Sequence, residues 1–410
     1  VKALQIRRNI ARLGMARMVA GISGATAARL GPLEYRTIDP PVLPGPGWQR
    51  VTTSLAGICG SDLSLVQGHA STYFEHWVSF PFVPGHEVVG TLDDGTRVVL
   101  EPVLGHCARG AAPPFEGAAP GDGDDYAHLV TCGDAMDLEP GIQTGFCAST
   151  GGGWSPQFVA HESQLHPIPD EVSDEQAVLI EPLAGGLHAA LKTLPIAQRA
   201  RADGTAPIVA VLGAGTMGLA AIAGLRRYVP DVRIISGARY GHQRSLALEV
   251  GADLAVAPDE LSRAVRRMSG GHVIGDALSS GAHATIDAVG TSASIGACLA
   301  MTRPRGRVVL LGMPADVSLD LTGLWHRETE LVGAYTYGTE HLDDGTVTTT
   351  FALAIDTAAA IGAHRLLSAT YRLEDHVQAL RHAAEAGRRG GVKIAFDLRH
   401  DPSPTTKGDR

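Results

Sequence analysis

Cysteine is scarce in this 410-residue chain, and its five copies, Cys59, Cys107, Cys132, Cys147 and Cys298, are scattered. That excludes a secreted disulfide scaffold and leaves metal binding or plain burial as their use, in a reducing compartment. A basic excess is also missing: the net charge is −9, which argues against nucleic acid or an anionic membrane as a main partner. No acid precedes Glu34, and Arg7 and Arg8 lead towards a small-residue stretch from Ala20 to Ala28, superficially like an export or organellar signal. Arg12, Arg17 and Arg29 interrupt every apolar segment there, so a cytoplasmic protein is expected. The apolar run from Ile208 to Leu225 nearly reaches membrane-spanning length, but its four glycines have a better use below. No internal repeat is present. What remains is an ordinary soluble composition, 44% hydrophobic and 19% charged, in a chain long enough for two or three domains.

Period-two patterning and turn residues predict strands at 1–6, 48–57, 87–92 and 97–100, with a tight Asp93-Asp94-Gly95 turn between the last two. This part reads as a β-rich, barrel-like domain. Residues 105–153 are rich in Gly, Pro, Ala and Asp and read as a long excursion. From about residue 186 strands and helices alternate: strand 208–212, helix 216–228, strand 232–236, helix 241–250, and strands near 284–288, 307–311 and 330–334. That alternation predicts a doubly wound parallel sheet. Helices near 348–361 and 374–386 and a last strand at 392–398 follow, then a polar, disordered tail at 400–410. The expected division is 1–185, 186–338, and a return to the first domain over 339–399.

Strand 208–212 runs into Gly213-Ala214-Gly215-Thr216-Met217-Gly218 and then an apolar helix. A lone GxGxxG is weak evidence, but here it opens a helix directly after a strand, the context of a dinucleotide-binding turn. Gly213 permits the turn, Gly215 lets a pyrophosphate approach the backbone, and Gly218 lets helix and strand pack. Thr216 and Met217 begin the helix whose free N–H groups and dipole favour the phosphates. An acid at the end of the second strand would bind the ribose 2′-hydroxyl of NAD. It is missing: Ala238 stands about there and Arg239 follows. An Arg pairs with a 2′-phosphate where a carboxylate would repel it, so NADP(H) is favoured over NAD(H). Arg244 and Ser236 are candidate helpers; the competing reading makes Arg239 a surface charge, or a side chain stacked on adenine with NAD bound.

Two further segments, Gly57-Ile58-Cys59-Gly60-Ser61-Asp62 and Pro84-Gly85-His86-Glu87-Val88-Val89-Gly90, precede that turn. Alone, Cys59 or His86 would pass for a buried core residue. Together, and in this order before the cofactor turn, they resemble the zinc-binding segments of the medium-chain dehydrogenase/reductase family, over roughly residues 1–398. The resemblance implies an α/β fold with a GroES-like β-barrel catalytic domain and a Rossmann cofactor domain. It also implies one catalytic zinc per chain and hydride transfer between an alcohol or polyol (or its aldehyde or ketone) and a nicotinamide cofactor. Such a zinc has three protein ligands and one open position, where it lowers the pKa of an alcohol. The third-ligand cysteine of simple alcohol dehydrogenases is missing. Glu181, in Leu179-Ile180-Glu181-Pro182, resembles the glutamate of the sorbitol, threonine and glucose dehydrogenase branch. The implied ligands are therefore Cys59, His86 and Glu181, with Glu87 as an exchangeable one. Ser61 matches the family's proton-accepting hydroxyl. Ser64 stands where a relay histidine is common, with His69 or water as substitutes. Lys393 resembles a basic residue that contacts the cofactor pyrophosphate.

The family's second, structural zinc needs closely spaced cysteines, and the excursion lacks that run. It holds His106, Cys107, Cys132 and Cys147, so an empty, reshaped lobe is expected, with a Cys3His site as the other reading. Trp154 either lines a substrate cleft or staples the domain, and His161 and His166 read as structural. A homodimer or homotetramer is expected from relatives. Two other functions compete: a zinc-free enoyl or quinone reductase of the same fold, and a non-catalytic nucleotide-binding protein.

Overall fold

A computed structural model describes residues 1–20 and 29–400. The small-residue stretch beyond Ala20 and the expected tail beyond His400 lie outside the described residues. The chain forms two compact units, Val1–Glu181 with Gly362–Arg410, and Pro182–Ile361. Residues 339–361, expected with the first domain, group with the second unit instead.

In the first unit, β1 (Lys2–Ile6) pairs antiparallel with β2 (Leu33–Thr37), and between them runs a helix, Ile10–Ala20, that the sequence pattern did not suggest. The main sheet uses β3 (Trp48–Gly57), β4 (Val88–Leu92), β5 (Arg97–Leu100), β6 (Gln157–His161) and β7 (Leu165–Pro167). Inward side chains of these strands enter one core, where Val51, Val88, Val98 and Phe158 pack with Trp154 from the turn before β6, all nearly or fully buried. β3 is long enough to pair with β6 over Trp48–Thr52 and with β4 over Val51–Ala56, and the register shift between Thr53 and Leu55 bends it. The excursion from residue 105 to 153 contains only short 3₁₀ turns and an isolated bridge from Val103 to Gln143.

The second unit is built on β8 (Ile208–Leu212), β9 (Arg233–Gly237) and β10 (Leu254–Val256). After a small hairpin, β11 (Val273–Ile274) with β12 (Ala277–Leu278), come β13 (Ala282–Asp287), β14 (Thr302–Leu310) and β15 (Glu330–Gly333). Six of these make one sheet in the order β10-β9-β8-β13-β14-β15, and all its pairings are parallel. β8, Ile-Val-Ala-Val-Leu, is buried throughout, as a central strand covered on both faces must be. The order reverses beside β8, so the turn after β8 lies at the switch point where such sheets bind ligands. A second hairpin, β16 (Thr339–His341) with β17 (Val347–Thr349), leads into helix Thr350–Ala360.

The chain then returns to the first unit as β18 (Leu367–Tyr371) and β19 (Lys393–Asp397), a parallel pair with β19 antiparallel to β3. This completes the order β18-β19-β3-β4-β5-β7, and it sets Lys393 of the last strand beside the start of the Gly57–Cys59 segment. No helix among the described residues is long and apolar enough to cross a membrane.

Candidate functional site

Cys59 leaves β3 in extended geometry and caps the helix Gly60–Val66. Its backbone N–H donates to Asp62 Oδ2 at 2.9 Å, so the Cys-Gly-Ser-Asp spacing works as half of a capping box. Asp62 is fully buried, and its other oxygen lies 3.6 Å from His86 Nδ1. That is too long for a hydrogen bond, and both atoms are buried without a partner. Burial raises the Asp62 pKa against the opposing charge of His86. At His86 burial disfavours the imidazolium, but Asp62 and the Cys59 sulfur outweigh it and lift the pKa well above the usual value. Asp62 therefore aims both groups, a role the sequence reading missed although the capping spacing signalled it.

Glu87 follows His86 and is buried, with its carboxylate against Gly57, where any Cβ would collide with it. The Cys59, His86 and Glu87 ligand atoms all lie within 4.8 Å of one another, the one such grouping of three or more ligand-type residues among the described residues. Glu181, in the first turn of helix Ile180–Leu191, is outside the grouping. It is near enough to raise the pKa of His86 and Lys393 through its charge. Of the two glutamates, Glu87 sits with the thiol and imidazole, and Glu181 acts on the imidazole through its charge. The reason is local, because Glu87 is adjacent to His86 in the chain and Gly57 leaves room for its side chain.

Lys393, expected at the cofactor pyrophosphate, is buried, and its ammonium hydrogen-bonds and ion-pairs with the Glu87 carboxylate. Burial works against its charge, but Glu87 and then Cys59 raise its pKa. Ser61 is half-buried in the first helical turn after Cys59. The donor set fits zinc on chemical grounds: a thiolate, an imidazole and a carboxylate converge, with a buried carboxylate behind the histidine.

In the second unit Gly213 ends β8 at φ +99°, a backbone region that disfavours side chains. A Cβ on Gly218 would strike the Gly213 carbonyl, so that glycine is fixed by helix–strand packing. Gly215, by contrast, caps helix Thr216–Tyr228 with nothing within 4 Å of its missing Cβ. Protein packing does not demand a glycine there; close approach of a ligand to the backbone would. Thr216 and Met217 are half-buried in the first turn. Ala238 is buried and Arg239 exposed at the end of β9. Arg244, a candidate phosphate helper, donates to the Ala238 and Arg239 carbonyls at 2.9 and 3.1 Å and so braces that turn. Ser236 Oγ is buried and has no partner. An open cradle over Gly215 and an orphaned hydroxyl near the second strand's end both fit a dinucleotide.

In the excursion, Arg109 is fully buried and donates to the Glu139 and Gly141 carbonyls at 3.0 and 2.7 Å. Cys147 and Cys132 turn their sulfurs to the Glu139 and Met136 carbonyls. His106 and His128 stack at 3.8 Å. Trp154 is wholly buried, which excludes a cleft-lining role and favours the staple. His166 pairs with buried Glu101 at 2.7 Å, and His161 caps a 3₁₀ turn.

Comparison with known proteins agrees with this division. Residues 45–170 match the family described as alcohol dehydrogenase GroES-like domain, and residues 216–348 match zinc-binding dehydrogenase. The chain belongs to the zinc-dependent medium-chain dehydrogenase/reductase family. Among curated members of the family, it is 27% identical to a sorbitol dehydrogenase of Ovis aries over 386 residues, covering 91% of this chain and 95% of that one. A sorbitol dehydrogenase of Arabidopsis thaliana is 28% identical over 401 residues, again covering 91% and 95%. The fold is shared with 2R,3R-butanediol dehydrogenase from Bacillus subtilis at a TM-score of 0.67 and 19% identity, covering 97% and 99%.

Proposed function

We propose that this oxidoreductase moves a hydride between a polyol or related alcohol and NADP(H), with one zinc held by Cys59, His86 and Glu87. The observation that carries the reading is the convergence of those three ligand atoms within 4.8 Å. The sorbitol dehydrogenase names of the relatives support a polyol. When bound, zinc supplies a Lewis acid for the substrate oxygen, and the nicotinamide supplies the hydride acceptor or donor.

The chain's own residues do the rest. Asp62 holds the Cys59 backbone and faces His86, so it orients two ligands together. Lys393 pairs with the Glu87 carboxylate in its buried position. Ser61 takes the hydroxyl proton from the substrate as its own proton passes on to water, and the charge of Glu181 acts on the imidazole. The open backbone at Gly215 and the N–H groups of Thr216 and Met217 receive the pyrophosphate. Arg239, on a turn braced by Arg244, meets a 2′-phosphate. Two copies pair through β15, whose outer side is unpaired among the described residues and which lies close in sequence to exposed Leu321 and Trp325. Light scattering giving a monomer at micromolar concentration would remove that last element.

The deciding experiment is metal analysis of the purified chain beside Cys59→Ser, with polyol oxidation measured on both. One zinc per wild-type chain, little in the variant and loss of its activity are expected. A zinc-free, fully active wild type would end the reading.

A further inference from the structure

Trp154 contacts both backbone segments that deliver the ligand atoms. Its backbone N–H donates to the Pro84 carbonyl at 2.9 Å, and the neighbouring Gly153 N–H donates to the Gly85 carbonyl at 2.8 Å. These two bonds hold the turn immediately before His86. Its indole Nε1–H donates to the Gly57 carbonyl at 3.2 Å, two residues before Cys59. The indole also fills the space over Gly85: a Cβ there would lie 2.5 Å from Trp154 Cδ1, and Gly85 has φ +98°. On its other side the ring meets Phe396 edge-on at 5.2 Å and 76°, and Phe396 lies opposite Ala56 in the β3–β19 register. Trp154 is among the largest side chains with no solvent exposure.

We infer that Trp154 is a positioning residue for the metal centre, a rigid bracket that fixes the Cys59 segment relative to the His86 segment. Cys59 and His86 lie just beyond the β3–β4 ladder, whose last bond, from the Gly57 N–H to the Glu87 carbonyl at 2.8 Å, ties the two segments on one side and leaves the Gly57 carbonyl and the Pro84-Gly85 turn to be held by something else. A tryptophan with a single hydrogen-bonded orientation holds both, because rotating the indole would strand a buried N–H and leave a void over Gly85. Preorganisation of this kind matters for a closed ligand set, whose geometry must be held to a few tenths of an ångström. Removing groups that orient metal ligands characteristically weakens metal affinity by about 10–100-fold. The inference rests on the metal reading proposed above and adds a residue to it.

Trp154→Phe keeps an aromatic ring and removes the indole donor. Trp48→Phe is the control: Trp48 is also buried in this unit, but its Nε1 has no hydrogen-bond partner. Zinc dissociation constants of the full-length chains are measured by chelator competition, and the thiolate-to-metal band is recorded after cobalt(II) substitution. The expected result is zinc binding about 10–100-fold weaker in Trp154→Phe, with a shifted cobalt band, and both properties at wild-type values in Trp48→Phe. Affinity within about threefold of wild type and an unchanged band in Trp154→Phe would overturn the inference while leaving the metal reading intact. A wild-type chain that binds neither zinc nor cobalt overturns the metal reading itself. Should Trp154→Phe not fold, the wild-type apoprotein decides: the Trp154 indole N–H must stay protected from solvent exchange without metal. Rapid exchange there would mean that the metal orders the bracket, the reverse of what is inferred.

Discussion

Replacing Lys393 with methionine separates the two charges that are most deeply buried together. The side chains of Lys393 and Glu87 are 4% and 1% exposed, so solvent does little to screen their pairing. Methionine preserves much of the stem and removes the ammonium, leaving Glu87 as a buried carboxylate without its counter-charge. Breaking such a pair from one side costs about 3–5 kcal/mol, far more than the loss of a surface ion pair. That cost belongs to the metal-free chain. With zinc bound, Glu87 has a dication to face, so the loss of Lys393 is expected to cost less. If the metal recovers about 2 kcal/mol of the penalty, linkage requires zinc to bind Lys393→Met roughly 30-fold more tightly than wild type. Urea unfolding of metal-free and zinc-loaded forms of both proteins, with chelator competition for affinity, measures every leg of that cycle. Equal destabilisation in both forms, together with unchanged zinc affinity, would refute the argument and leave Lys393 a partner of Glu87 unrelated to metal.

Other residues give shorter tests. Arg239→Ala is expected to lower kcat/KM for NADP by about 10–100-fold, the worth of a charge-assisted hydrogen bond, while NAD changes little; equal use of both cofactors before and after would discard Arg239 as the selector. His283 is buried, accepts the Ile208 N–H at 3.0 Å and lies beside Arg303, and burial followed by the Arg303 charge lowers its pKa to about 4. Its neutral form is the folded one, so its contribution is complete above the unfolded value near 6.5 and is lost as pH falls towards 4, about 3 kcal/mol in all. Urea unfolding at pH 7.5 and 4.5 should show His283→Gln losing less stability on acidification than wild type; parallel losses would disprove the linkage.

Much of the architecture was readable from pattern because local rules and tertiary packing agree there. The apolar run Ile208–Leu212, the glycine turn and the helix to Tyr228 coincide with strand β8 and its helix, since a strand covered on both faces is apolar throughout. The helix Ile10–Ala20 was not readable. Arg12 and Arg17 within it point to ion-pairing or solvent rather than forming a clean apolar stripe, and Arg12 pairs with Glu34 of β2. The hairpin β16–β17 was also invisible, and it carries Glu340, whose carboxylate is held by His188 and Thr350, each at 2.6 Å. A residue whose partners lie on remote elements gives no periodic signal.

The same limit explains the two glutamates, and it bears on why this cluster suits a cation. Motif spacing can nominate Glu87 and Glu181, but it cannot show that the missing side chain at Gly57 leaves the room in which the Glu87 carboxylate approaches Cys59 and His86. Around those atoms lie Asp62, Glu87, Glu181 and the Cys59 sulfur, four groups able to carry negative charge. Among the described residues, the Lys393 ammonium and the His86 imidazole are the basic groups that act on them. A protein interior does not gather four such groups without compensation, because each buried anion needs a counter-charge or a set of donors. Asp62 Oδ1 and His86 Nδ1 still lack partners in this arrangement. A dication at the ligand atoms would balance the set and give the histidine reason to keep Nδ1–H directed at Asp62, the arrangement by which a carboxylate strengthens a metal-bound imidazole.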